Sequence, residues 1–280
     1  MTVTHNHKSD EPEHAASGEM TFWEHLDVLR SVLLRILVVV AVSSILAFCF
    51  KEQLFDLILA PKKDTFFIYH VLNRLATCWG GQAGENFTVN LINTGLAEQF
   101  KMHVKASLYA GCLIASPYAI YLIFRFISPA LYANERRGTL QAVVVGYAMF
   151  LIGVLLCYCL IFPLTFRFLG TYQVSADVEN LISLQSYMDT LLVMSFLMGV
   201  LFELPVICWV LGHLGLLSSS FMRRYRKHAI VVILIIAAII TPTSDVFTLC
   251  LVALPICLLY EISIWVVRSA GKRRITSSFR

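Results

Sequence analysis

Five long apolar runs divide the chain: Ser31 to Phe50, Ala106 to Phe124, Thr139 to Phe162, Tyr187 to Leu211 and Val246 to Val267. Each approaches the ~20 residues that a helix needs to cross a hydrocarbon core of ~30 Å. A sixth run, Ala229 to Ile240, would rise only ~18 Å at ~1.5 Å per residue. It is followed at once by Thr241-Pro242-Thr243-Ser244-Asp245, a turn signal that contains an acid. The pattern predicts an all-α membrane protein of six transmembrane helices. Its last hairpin requires either a locally thinned bilayer or a turn placed in a wet depression.

Between and before these runs the pattern changes. Phe22, Leu26, Leu29 and Leu33 recur at helical spacing, and Thr21-Phe22-Trp23-Glu24 reads as a capping box, so an amphipathic segment leads into the first helix. Trp23 suits the aromatic belt of a membrane interface. Residues 1–20 are polar and lack the basic and apolar regions of a signal peptide, so they are expected to form a disordered tail. Residues 21–268 then form the six-helix domain, and 269–280 a basic tail. In the loop from Lys51 to about Lys105, Leu54, Phe55, Ile58 and Leu59 predict a short amphipathic helix stopped at Pro61. The patch Gly80 to Gly84 reads as a flexible insertion, and Asn86-Phe87-Thr88 as a glycosylation sequon of little weight.

Composition agrees with the pattern. Hydrophobic residues make up 58% of the chain, charged residues only 14%, and mean hydropathy is +0.73, values foreign to a soluble domain of this size. Most of the 22 Lys and Arg fall on one side of the expected bilayer, in clusters such as Arg223-Arg224-Tyr225-Arg226-Lys227 and Lys272-Arg273-Arg274. Arg35 is counted there, with the end its helix starts from. By the positive-inside rule both termini are cytoplasmic. Topology accounts for this basic charge without nucleic acid. Of the eight cysteines, seven lie in apolar runs and Cys78 in a polar loop, so no disulfide framework or zinc-ligand spacing can be read. The histidines of the leading tail (His5, His7 and His14) are scattered, and neither metal nor cofactor is expected. No phosphate-binding loop, nucleophile elbow or zinc-protease motif occurs. An enzyme is therefore not expected, and any work must draw on a proton gradient or a partner.

Three acids fall within apolar runs: Asp189, Glu203 and Glu261. Glu203 stands two residues before Pro205, which should kink its helix. A charge at the bilayer centre costs ~2.5–3.5 kcal/mol, so Glu203 should face protein, a partner or a cavity. Either it is protonated and hydrogen-bonded within the fold, or it forms a polar spot in a groove that receives a partner helix. Asp189 lies near the outer end of its helix, and Glu261 reads as structural. Carboxylates also punctuate the basic face, at Glu24, Asp27 and Glu135. Glu135 ends the dense connector that begins Phe126-Ile127-Ser128-Pro129. It could pair with Arg125, Arg136 or Arg137, at ~0–1 kcal/mol for a surface pair. Alternatively it could receive a guanidinium from a partner in a stronger bidentate pair.

Four stretches together resemble the TatC family, the multi-spanning receptor subunit of the twin-arginine protein translocase. They are His25-Leu26-Asp27-Val28-Leu29-Arg30, Phe126 to Arg137, Gly199 to Pro205, and Thr241 to Phe247. The resemblance implies a concave, glove-like bundle with short fifth and sixth helices. It also implies a receptor for signal peptides that carry two adjacent arginines on proteins exported already folded. Glu135 matches the family's principal arginine-binding acid and Phe126 an aromatic beside it. Glu203 matches an intramembrane glutamate in the groove, Asp245 belongs to the matching turn, and Pro61 matches a proline of the first outer loop. Implied partners are single-span TatA- and TatB-type subunits, further copies of the chain and the lipid of the cytoplasmic (inner) membrane, with transport driven by the proton-motive force. Two positions depart from the family pattern. Val28 stands where a second arginine-binding Glu is usual, which leaves Asp27, ~100° around the helix, and Glu24 as substitutes. Leu249 stands where a glutamine is common. The competing reading is a proton-coupled transporter of small molecules or ions using Glu203, a class that often shows internal repeats. None is visible here.

Overall fold

The computed structural model of the protein describes residues 22–63, 65–78, 90–127, 136–173, 175, 180–243 and 245–277. The leading tail, Thr21, the Gly80 to Gly84 patch, the sequon and the connector from Ser128 to Glu135 lie outside these residues. Helices α1 (Phe22–Cys49) and α4 (Glu98–Ile127) form the first two crossings. The third is a composite of α5 (Arg136–Leu156), a π-helical turn at Cys157–Ile161 and α6 (Phe162–Thr171). The fourth combines α7 (Leu184–Phe202) with α8 (Leu204–His213), and α11 (Val246–Ser277) is the last. Among the described residues five stretches are thus long and apolar enough to span: His25–Cys49, Glu98–Phe126, Gln141–Thr171, Leu184–His213 and Val246–Ala270. The sixth run forms α10 (Arg226–Ile240), whose 15 residues rise only ~22 Å, so this segment is short, as its sequence predicts.

Two helices depart from their expected course, both at proline. The third run continues past Phe162 because the widened π turn precedes Pro163, which occupies the first turn of α6, where its missing N–H removes little bonding. At Glu203 the fourth crossing breaks rather than bends. Pro205 has no N–H to donate, and Glu203 N–H turns back to the Val200 carbonyl at 3.1 Å, in a tighter turn. Helix α8 stops where Gly215 takes a left-handed φ of 79°, and Leu216 N–H closes on the Leu211 carbonyl at 3.0 Å. A short helix, α9 (Ser219–Arg224), is capped by the Ser218 hydroxyl and leads into α10.

The loop after α1 is more structured than its sequence suggests. The expected amphipathic helix is α2 (Lys51–Leu59), ended by a 3₁₀ turn at Ala60–Lys62 that contains Pro61. A further helix, α3 (Phe67–Cys78), was not expected, and it takes in Cys78. Strand β1 (Leu91–Ile92) pairs in parallel with β2 (Ile182–Ser183), Leu91 opposite Ile182 and Ile92 opposite Ser183. Beside this pairing, Glu98 accepts from the backbone N–H groups of Thr94 (3.0 Å), Gly95 (2.8 Å) and Gln185 (3.0 Å). Carbonyls at and just after the end of α2, which have no helical donor, are met by tyrosine hydroxyls. Tyr158 donates to Leu57 at 2.6 Å, Tyr187 to Ile58 at 2.9 Å and Tyr69 to Pro61 at 2.9 Å. Burial pushes the Tyr69 hydroxyl up to about 12, against a smaller opposing pull from Arg167.

Among the described residues four apolar clusters fill the bundle, the smallest around Met222, Ile264 and Val267; the other three are larger. One joins the π turn, α7, α10 and α11 around Cys157, Met194, Met198 and Ile256. A second lies under α2, around Phe162, Phe166, Tyr187 and Met188. The third sits between α4, α5 and α8, around Phe124, Phe150 and Val206. Helix α1 stands to one side against α4, at a contact that only glycine permits: a Cβ on Gly111 would come within 2.7 Å of the Ser44 backbone nitrogen.

Candidate functional site

The first turns of α1 and the last turn of α4 enclose a pocket of about 480 Å³. On the α1 side, His25, Val28 and Val32 line it, because positions three, four and seven apart share one helix face. Leu122, Arg125 and Phe126 form the α4 side. His25 stacks on Phe126, with ring centroids 4.3 Å apart at 29°. Asp27, Ser31 and Arg35 lie on the ridge of α1 and also line a second groove on its other flank. Asp27 is exposed and has no ion-pair partner among the described residues. Asp27 and the His25–Phe126 stack suit a guanidinium, by charge-assisted hydrogen bonds and by stacking, while Arg35 and Arg125 add positive charge to the same walls.

Of the residues singled out from the sequence, Asp27 and Phe126 meet in this cleft, and Val28 lines it. Glu135 and the side chain of Glu24 lie outside the described residues. Glu203 lies elsewhere, at the break between α7 and α8. Both its carboxylate oxygens are buried without a hydrogen-bond partner among the described residues. They face Gly146 on α5 and the ring of Phe124 on α4; a Cβ on Gly146 would stand 3.0 Å from Oε2. Glycine at 146 therefore makes the room this carboxylate occupies.

Asp245 is employed locally. It caps α11, accepting from Thr248 N–H at 2.7 Å and from the Thr243 hydroxyl at 2.7 Å. Burial raises its carboxyl, but these hydrogen bonds together outweigh burial and hold it below the ordinary carboxylate range. Pro61 is buried beneath Tyr69, at the other end of the bundle from the Asp27 cleft. Leu249 packs against the cluster around Met198. Sequence reasoning missed the partners of two acids. Asp189 pairs with Lys105 of α4, and Glu261 with Arg226 of α10 at 2.7 Å. The first pair joins helices far apart in sequence and the second joins the two arms of the last hairpin, 35 residues apart, so no local spacing announces either.

The chain matches the family model described as Sec-independent protein translocase protein (TatC) over residues 24–255. The Sec-independent protein translocase protein TatC of Desulforapulum autotrophicum is 35% identical over 253 residues, covering 90% of this chain and 86% of that one. Its counterpart in Aquifex aeolicus is 31% identical over 258 residues, covering 91% and 98%. A crystal structure of the twin arginine translocase receptor TatC superimposes with a TM-score of 0.72 at 30% identity, covering 88% of this chain and 99% of that one.

Proposed function

The chain belongs to the TatC family, and from that premise we propose that it is the membrane-embedded receptor of a twin-arginine translocase. It binds signal peptides with paired arginines on folded cargo, and its six-helix domain, 21–268, sits in the cytoplasmic membrane with both termini inside. The observation that carries this reading is the match over nearly the whole bundle, to a family of translocase proteins and to a solved receptor. The α1–α4 cleft supports the siting. Asp27 and the His25–Phe126 stack flank the start of the connector that ends in Glu135, so a peptide's two guanidiniums have two carboxylates to meet. Val28 removes the usual second acid, and Asp27, one residue earlier and ~100° around the helix, takes its place. The unpaired Glu203 carboxylate supports a second role, as a polar contact for single-span TatA- or TatB-type subunits that carry cargo across under the proton-motive force.

Binding of a twin-arginine peptide to the purified protein, beside a twin-lysine peptide, tests this reading. The arginine peptide should bind more tightly, because lysine cannot form the bidentate pair. Glu135→Ala should weaken it about ten-fold or more, roughly the loss of one charge-assisted hydrogen bond. Equal binding of both peptides to the wild-type and Glu135→Ala proteins would overturn the site.

A further inference from the structure

The second groove beside α1 has no place in peptide recognition as described. It encloses about 650 Å³ between α1 and α4, with Arg30 and Arg35 at one end, Tyr118 on the far wall, and Leu34, Val38 and Val39 along its floor. Arg35 is the single charged residue of α1 between Arg30 and Cys49. It stands ~15 Å along the helix from His25, where the spanning stretch begins. A cation at that depth is costly unless it reaches the interface or meets an anion. Both arginines are exposed and neither forms an ion pair among the described residues. Among the described residues Asp27 is the one acid lining the groove, and with the two arginines it gives a net charge of +1 there.

We infer that this groove is a binding site for an anionic phospholipid, whose phosphate meets Arg30 and Arg35 and whose acyl chain lies along Leu34, Val38 and Val39. Two features select the class of ligand. The charged end and the apolar floor are continuous, so a ligand must be both phosphate and chain. The net charge of +1 complements a head group with one uncompensated negative charge. A zwitterionic lipid brings its own ammonium, which the arginines repel. Because Asp27 belongs to both grooves, its neutralisation should strengthen lipid binding while weakening the peptide site.

The full chain in detergent, titrated with short-chain phosphatidylglycerol or phosphatidylcholine and read by native mass spectrometry, tests this. One phosphatidylglycerol should be retained in preference to phosphatidylcholine. Arg30→Gln and Arg35→Gln should each reduce that preference about five-fold, the usual effect of one basic residue at an anionic surface. Asp27→Asn should increase it, and Arg35→Lys should retain most of it, which separates loss of charge from loss of fold. Val38→Trp, which fills the groove, should release the lipid. Equal retention of both lipids by the wild-type protein would overturn the site, as would an unchanged preference in Arg35→Gln. Displacement of the lipid by millimolar inorganic phosphate would mark a simple anion site and overturn it too.

Discussion

At its Glu98 end, α4 meets a region held by several polar contacts, although His103 Nε2 and Thr165 Oγ1 are buried there without a hydrogen-bond partner among the described residues. Glu98 binds three backbone N–H groups, Lys105 pairs with Asp189, and tyrosine hydroxyls close the end of α2. At its Phe126 end the same helix packs on α5 and α8 on one side and meets α1 across an open pocket on the other, and Asp27, Arg30 and Arg35 have no ion pair among the described residues. One helix thus connects a closed end to an end whose charges are uncommitted. Satisfied polar groups fix geometry and leave nothing to offer a ligand. Unsatisfied ones add little to the fold and can be given to something that arrives. This contrast is what supports the proposed siting of peptide recognition at the end where the bonding is sparse.

Substitutions can break that contrast in a graded way. Gly111→Leu should have the largest effect. Its Cβ would meet the Ser44 backbone, forcing α1 off α4 at a cost of ~1–3 kcal/mol or more by overpacking. Thermal unfolding in detergent should show the loss, and crosslinking between cysteines placed at His25 and Phe126 should fail. Tyr187→Phe acts on the closed end, leaving the Ile58 carbonyl without its donor. It should cost ~1–2 kcal/mol of stability and leave peptide affinity unchanged. Asp27→Asn acts on the open end in the opposite sense. Stability should stay within ~0.5 kcal/mol, as for other exposed positions, while affinity for a twin-arginine peptide falls. If Asp27→Asn unfolds the protein as readily as Tyr187→Phe, the contrast between the ends is wrong.

Much of this was legible in the sequence, because a bilayer imposes a length and a polarity that apolar runs reveal directly. The shortness of α10, the helix stop at Pro61 and the disturbance at Glu203 follow from residue count and from proline chemistry. What escaped was of another kind. Helix α3 has a mixed sequence around His70, Asn73 and Arg74, without a long apolar run. The Lys105–Asp189 and Arg226–Glu261 pairs depend on which helices become neighbours, which no local pattern states. Of the candidate site, Asp27 could be named because an acid is unusual on a basic face, and Phe126 because of the resemblance to the TatC family. The His25 stack, the room that Gly146 makes for Glu203 and the double duty of Asp27 between two grooves are properties of packing.

The pairing of β1 with β2 also bears on how the protein is made. Leu91 leaves the ribosome long before Ile182 exists, and everything between them, two whole crossings, must be placed in the membrane first. Closing so distant a pair has an entropic cost that grows with the separation. The hydrogen bond that Gln185 N–H donates to Glu98 can likewise form only then. Strand β1 therefore waits without its partner until Ile182 and Ser183 have been made. Its fastening marks the moment when the first half of the chain and the second become one object.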